Sequence, residues 1–258
     1  MAQQVITTQD GHVQILRLNR PDKKNALTGD MYLGLAAGLN AAGENSNTRV
    51  VLVTGTEGCF TAGNDIGDLL NQPAGDHPDG ENRPFSQFIR ALDGITKPVI
   101  AAVDGLAIGV GTTMLLHCDL VYAADNVRFH LPFTDLGLVP EAASSALLPQ
   151  LAGYAKASEM LLLAEPFDAN TALSIGLINR IFPAASLEQE ALAIAHKLAA
   201  KPPQSVQNTK ALIKKNRGDI ANVIADELRV FTTQQKSLEA KEALSAFLER
   251  RTPDFSKF

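Results

Sequence analysis

Apolar and polar positions alternate over residues 5–18, where Val13, Ile15, Leu16 and Leu18 follow the dipeptide Asp10-Gly11. A period of two marks a half-buried strand and Asp-Gly marks a tight turn, so a β-hairpin is predicted. The runs Val50-Val51-Leu52-Val53-Thr54 and Val99-Ile100-Ala101-Ala102-Val103 are continuously apolar and bounded by turn residues. Such runs suit parallel strands covered on both faces. A polar link over 21–28 leads into an Ala- and Leu-rich segment, 29–42, that predicts a helix. Asp65 can cap a short helix to about residue 70, and helices are predicted again over 85–92 and, apolar and buried, over 111–117. A further strand is predicted over 120–123. From Glu141 onward the pattern turns helical, with Asp168 capping a segment that Gly176 stops. Ile220, Val223, Ile224, Leu228 and Phe231 share one helical face, as do Leu244, Phe247 and Leu248. Residues 71–84 carry three prolines and two glycines with almost nothing apolar, which predicts a mobile loop. Recurrent strand–turn–helix units without a linker predict one α/β core.

Composition narrows the function without choosing it. The 258 residues can bury a substantial core, and 23 basic against 28 acidic side chains are scattered along the chain. The net charge of −5 gives no nucleic-acid footprint. Cys59 and Cys118 lack metal-ligand spacing and read as reduced thiols, and the five histidines form no His-x-x-x-His pattern, so no metal is expected. No secretory signal and no apolar run long enough for a membrane span stand out, so a cytoplasmic protein is expected.

Two turns carry the candidate chemistry. Gly58-Cys59-Phe60-Thr61-Ala62-Gly63-Asn64-Asp65 and Gly105-Leu106-Ala107-Ile108-Gly109-Val110-Gly111 each leave a predicted strand and enter a predicted helix. Glycine allows tight bends and close approach to bare peptide groups. Such turns can aim two N–H groups at one developing oxyanion, or they can simply connect strands to helices. Glu141 stands among apolar and small residues, in Val139-Pro140-Glu141-Ala142-Ala143. Burial there would raise its pKa toward the working range of a general base. The alternative is a helix first-turn glutamate after Pro140.

The chain resembles the crotonase (enoyl-CoA hydratase/isomerase) superfamily over nearly its whole length. The resemblance rests on Leu18-Asn19-Arg20-Pro21 through Leu27, Phe60 to Asp65, Lys97-Pro98 through Gly105, Cys118-Asp119-Leu120-Val121-Tyr122-Ala123, and Ala172 through Asn179. It implies a spiral of ββα units over 1–200 and a C-terminal helical trimerisation region over 201–258, assembled as a homotrimer or hexamer. It also implies an acyl-CoA thioester substrate, with coenzyme A part of that substrate and no separate cofactor.

The same resemblance assigns the oxyanion donors to the backbone N–H groups of Asn64 and Val110. The two glutamates of the family's hydratases fall at Thr113 and Phe133, neither of which is an acid or base at neutral pH. Glu141 matches the catalytic glutamate of the Δ3,Δ2-enoyl-CoA isomerases, which the stretches Ala62 to Asp65 and Phe129 to Phe133 also resemble. Lys24, Ala26, Ala62, Asp65 and Ile66 would follow the coenzyme A. Gly109, Phe133 and Leu138 would border the acyl group. Phe247 and Arg250 match a Phe-x-x-basic pattern that reaches a neighbouring subunit's nucleotide in some relatives, although Phe247 itself reads first as a core residue. His130 reads as a hydrogen-bonded core or interface residue, and Asp135 and Glu165 as solvated loop carboxylates. The expected reaction is a shift of a 3-enoyl-CoA double bond to the 2-trans position by Glu141 alone. Ring-type isomerisation, thioester hydrolysis, weak hydration and non-catalytic acyl-CoA binding are the rivals.

Overall fold

The computed structural model describes residues 3–71 and 83–258. The predicted hairpin is present as β1 (Val5–Asp10) and β2 (Val13–Leu18), antiparallel with Val5 opposite Leu18. Thr28 then caps α1 (Gly29–Glu44), its side chain accepting from the Met31 N–H at 3.3 Å.

The next part of the chain repeats one unit. A long strand enters a first sheet, a short strand enters a second, and a helix follows. The first unit is β3 (Val50–Thr54), β4 (Cys59–Thr61), α2 (Ile66–Asn71) and α3 (Pro84–Gly94). The second is β5 (Val99–Val103), β6 (Leu106–Ile108) and α4 (Val110–Thr113). The third is β7 (Leu120–Ala124), β8 (Arg128–His130) and α5 (Ser144–Ala152). The remaining elements are α6 (Tyr154–Leu162), β9 (Phe167–Asp168), α7 (Ala169–Ser174), β10 (Arg180–Phe182) and α8 (Ala184–Ala199). After them come α9 (Pro203–Lys214), α10 (Ile220–Gln234) and α11 (Leu238–Glu249).

The first sheet runs β1-β2-β3-β5-β7-β10, parallel from β2 onward, and the second runs β4-β6-β8-β9. The apolar runs are explained by burial on both faces. Val51, Val53, Ala101, Val103, Val121 and Ala123 point into the main core. Their neighbours Val50, Leu52, Ile100, Ala102, Tyr122 and Ala124 point the other way, onto Leu187, Ala191 and Ala195 of α8. Alternate residues of a strand face opposite sides, so both faces must be apolar.

Several expectations are corrected. The helix predicted over 111–117 is one α turn continued by a 3-10 turn, Met114–His117. Glu141 precedes α5 instead of lying in its first turn, which removes the helix-dipole reading of that residue. Short strands β9 and β10 interrupt the region expected to be helical after Glu141. On α11 only Leu244 of the expected apolar face is buried; Phe247 is 59 % exposed and Leu248 56 %, so the core reading of Phe247 fails in this chain. Most of the loop predicted over 71–84 lies outside the described residues, which resume at Arg83 before Pro84 opens α3. Among the described residues no helix is long and apolar enough to cross a membrane.

Candidate active site

The ends of β4 and β6 lie side by side, and each delivers a glycine turn to the same place. Gly63 has φ +88°, and a Cβ there would sit 2.7 Å from the Ile108 carbonyl oxygen, so only glycine permits the two turns to touch. Gly109 has φ +55° and ψ −118°, a conformation that side chains oppose. The Gly109 N–H donates to the His130 carbonyl at 2.8 Å, and its own carbonyl accepts from Thr112 and Thr113. The Gly63 carbonyl and the Asp65 N–H both pair with Leu27. Between these committed groups, the N–H groups of Asn64 and Val110 meet no acceptor among the described residues. Because α4 is a single turn, the field there comes from unpaired N–H groups and not from a long helix dipole.

The segment before α1 is laced onto the first turn. Ala62 donates its N–H to the Lys24 carbonyl at 2.9 Å, and Arg20 pairs with Asp65 at 2.7 Å. Arg20 also donates to the Ala26 carbonyl at 2.9 Å, so Lys24, Ala26, Ala62 and Asp65 lie along one edge that runs into Ile66 at the start of α2. The Asp65 carboxylate is already committed: its hydrogen bond from Arg20 holds it below the usual carboxylate range, and its other oxygen caps Asp68. Asn25, one residue of the motif that runs from Leu18 to Leu27, is the keystone of this edge. It is fully buried at φ +52°, and its amide donates to Thr56 Oγ1 and to the Cys59 and Phe60 carbonyls.

Glu141, which shares a cavity with Asn64, is 4 % exposed. Its Oε1 accepts a 2.5 Å hydrogen bond from Thr113 Oγ1, while Oε2 is buried without a partner. Burial pushes the carboxyl up to about 8; the Thr113 bond pulls it down and the nearby Glu227 charge adds to the rise. A small cavity of about 40 Å³ joins Glu141 to Asn64, lined also by Tyr32, Leu69, Arg83, Phe85, Leu228, Phe231 and Gln235. Tyr32 donates its hydroxyl to Asn64 Oδ1 at 2.5 Å. Burial, with Glu141 and Asp68 nearby, raises the Tyr32 hydroxyl well above its ordinary value. A far larger cavity, about 660 Å³, lies beside α9, where Lys210 is paired to Asp119 at 2.7 Å. It is lined by neither Glu141 nor either turn, so size does not locate the chemistry here.

Other assignments fare unevenly. Phe133 and Leu138 are buried in the main core and are not among the residues that line the Glu141 cavity. Phe247 and Arg250 are likewise absent from that lining; Arg250 ends α11 at φ +55°. His130 pairs with the Ala164 carbonyl at 2.7 Å, a structural role as expected. Cys59 and Cys118 are free thiols, and burial pushes Cys118 up to about 12. The sequence reading missed Tyr32, Arg83, Phe85, Leu228, Phe231 and Gln235. Only the apolar face of 220–231 carried a signal, and it read as generic packing.

The sequence profile of enoyl-CoA hydratase/isomerase matches residues 8–257. The chain is 33 % identical to 2,3-dehydroadipyl-CoA hydratase of Escherichia coli, over 98 % of each chain. It is 32 % identical to enoyl-CoA delta isomerase 2 of Rattus norvegicus, over 96 % of this chain and 64 % of that protein. The crystal structure of an enoyl-CoA hydratase/isomerase from Pseudoalteromonas atlantica superposes with a TM-score of 0.92 at 40 % identity, over 98 % of this chain and all of the other. With the two sheets and the repeated strand–strand–helix unit, these matches establish the crotonase fold, and the chain belongs to the enoyl-CoA hydratase/isomerase family.

Proposed function

We propose that the protein is an enoyl-CoA isomerase that moves a 3-enoyl double bond to the 2-trans position. One observation carries this reading. Among the described residues Glu141 is the one carboxylate lining the cavity it shares with Asn64, and its Oε2 is buried without a partner. A thioester carbonyl at the two turns would receive the N–H groups of Asn64 and Val110, which strengthen as its oxygen becomes negative. Glu141 Oε2 would take a proton from C2, giving a dienolate, and return it at C4. One base on one face is sufficient for that exchange, and water takes no part.

The residue in the hydratase position supports the same reading. Thr113 supplies no acid or base; it donates to Glu141 Oε1 and leaves Oε2 for the substrate. The edge formed by Lys24, Ala26, Ala62, Asp65 and Ile66 would follow the coenzyme A, Asp65 and Ile66 through their backbone. A volume of about 40 Å³ holds little more than a water, so an acyl chain must displace side chains of α2, α3 or α10.

Hydration is the second reading, favoured by the match to the dehydroadipyl-CoA hydratase. Incubation with 3-cis- and 3-trans-enoyl-CoA, followed by ultraviolet absorbance of the conjugated thioester, decides between them. Conjugation without loss of signal to a 3-hydroxyacyl product supports the isomerase. Hydration of 2-trans-enoyl-CoA with no action on 3-enoyl-CoA rejects it.

A further inference from the structure

Ala142 and Ala143, immediately after Glu141, both hold a left-handed backbone at φ +56° and +57°, and both are buried. Residues with a Cβ avoid that region, and two in succession persist only where surrounding groups impose them. Each side of this turn is held. The Ala142 carbonyl pairs with His117 Nε2 at 2.7 Å, from the 3-10 turn behind α4. The Ala143 N–H donates to Glu227 Oε2 at 2.6 Å, and the Ser145 N–H to Glu227 Oε1 at 2.8 Å.

Glu227 is 8 % exposed and comes from α10, the helix that also brings Leu228, Phe231 and, at its C-cap, Gln235 to the Glu141 cavity. An ionised carboxylate has only acceptors, so both of its oxygens can take N–H groups; an amide would turn its NH2 toward one of them. The residue type therefore matches the task.

We propose that Glu227 is a positioning residue for Glu141: its two hydrogen bonds lock the left-handed turn that aims Glu141 Oε2 into the cavity shared with Asn64. The C-terminal helical region would thus complete the active site from within the same chain. The inference rests on Glu141 being the base. The charged and titratable groups around the pair are Tyr32 and Arg83 on the cavity wall, and His117 beside Glu227.

The test compares the full-length wild type with Glu227→Gln and with the double variant Ala143→Gly/Glu227→Gln. For 3-enoyl-CoA, Glu227→Gln is expected to lower kcat on the order of tenfold or more while KM stays within about threefold. The midpoint of the pH–rate profile is expected to fall, because Glu141 loses a neighbouring negative charge. Glycine adopts the left-handed turn without being held, so the double variant is expected to regain several-fold in kcat. An unchanged kcat in Glu227→Gln, or no recovery in the double variant, overturns the proposal. Should Glu227→Gln fail to fold, Glu227→Asp takes its place: it keeps the charge but not the reach, so kcat should fall while the midpoint stays, and an unaffected kcat overturns the clamp. A wild type that converts no 3-enoyl-CoA would reject the proposed activity instead. The clamp would then be judged by amide hydrogen exchange at Ala143 and Ser145, whose protection must fall in Glu227→Gln; unchanged protection overturns it.

Discussion

Two walls of the proposed site are built on opposite plans. One wall is backbone: the turns after β4 and β6 carry the N–H groups of Asn64 and Val110, the proposed oxyanion donors, beside glycines at 63 and 109, and of these residues Asn64 lines the Glu141 cavity. The other is side chain: Glu141, oriented by Thr113 and held by Glu227 through the turn that follows it. A peptide N–H is supplied by any residue but proline, so the first wall depends on shape and tolerates changes of identity. A carboxylate depends on its atoms, its burial and its neighbours, so the second wall tolerates almost none. Substitutions should therefore divide by wall more sharply than by distance from the substrate.

The largest effect is expected at the second wall. Glu141→Gln removes the proton-carrying oxygen and should lower kcat on the order of 10²–10⁴-fold, with acyl-CoA affinity little changed. Its stability effect has a definite sign. The folded Glu141 carboxyl sits at about 8 against an ordinary value of 4.5, so between those values the native state holds a proton that the unfolded chain has released. This group's contribution to stability is full below about pH 4.5 and declines by up to about 1.4 kcal/mol per pH unit until about pH 8. Thermal melts should show Glu141→Gln level with wild type near pH 5 and increasingly more stable toward pH 8. A variant that keeps wild-type turnover, or whose melting difference is flat across that window, would contradict the assigned base.

The same division explains what the sequence made legible. The first wall is local: strand, glycine turn and helix lie within a dozen residues, and the glycines mark where backbones touch. Strands β3 and β5 were legible for a related reason, since burial on both faces leaves an unbroken apolar run. The second wall is assembled from Tyr32, Thr113, Glu141 and Glu227, which sit on separate elements and have no shared spacing. Glu227 in a predicted helix looks like any helical glutamate; nothing local reveals that it caps a turn 84 residues earlier in the chain. Phe247 failed in the opposite direction. Its helical spacing fits a buried face, but in this chain nothing covers that part of α11, and spacing cannot report what packs against a face.

Next in size is a break of the first wall by shape alone. Gly63→Ala places a Cβ 2.7 Å from the Ile108 carbonyl oxygen, a backbone atom that cannot step aside, and forces the turns apart. Misplacing one oxyanion donor should lower kcat by roughly 10²-fold. Val110→Ala at the same wall keeps the N–H and should cost less than about tenfold, with some loss of stability from the cavity it leaves. Equal losses of kcat in Gly63→Ala and Val110→Ala would show that side chains, and not peptide groups, make this wall.

A smaller effect separates orientation from chemistry within the second wall. Thr113→Val keeps the shape but removes the hydrogen bond that lowers the Glu141 pKa, so the acid limb of the pH–rate profile should move above about 8. At pH 7 fewer molecules then carry ionised Glu141, and turnover drops accordingly; at high pH much of it returns. Thr113→Ser should restore the wild-type midpoint. A profile that does not move in Thr113→Val would leave Thr113 as packing only.

The smallest effect is expected where the walls meet, at Tyr32. Its hydroxyl donates to Asn64 Oδ1, a side-chain contact on the wall whose function is carried by backbone. Tyr32→Phe should leave the Asn64 N–H in place, because Leu27 fixes the peptide units on either side of it. The cost should appear as about 1 kcal/mol of stability, from an orphaned amide oxygen, with kcat reduced less than about fivefold. The hydroxyl is raised well above its ordinary pKa, so it stays neutral across the assay range and the midpoint set by Glu141 should not shift appreciably. Paired pH–rate profiles and melts of Tyr32→Phe and wild type measure both quantities. A fall in kcat comparable with Gly63→Ala would mean that Tyr32 reaches the thioester itself, and the line between a backbone wall and a side-chain wall would have to be redrawn through Asn64.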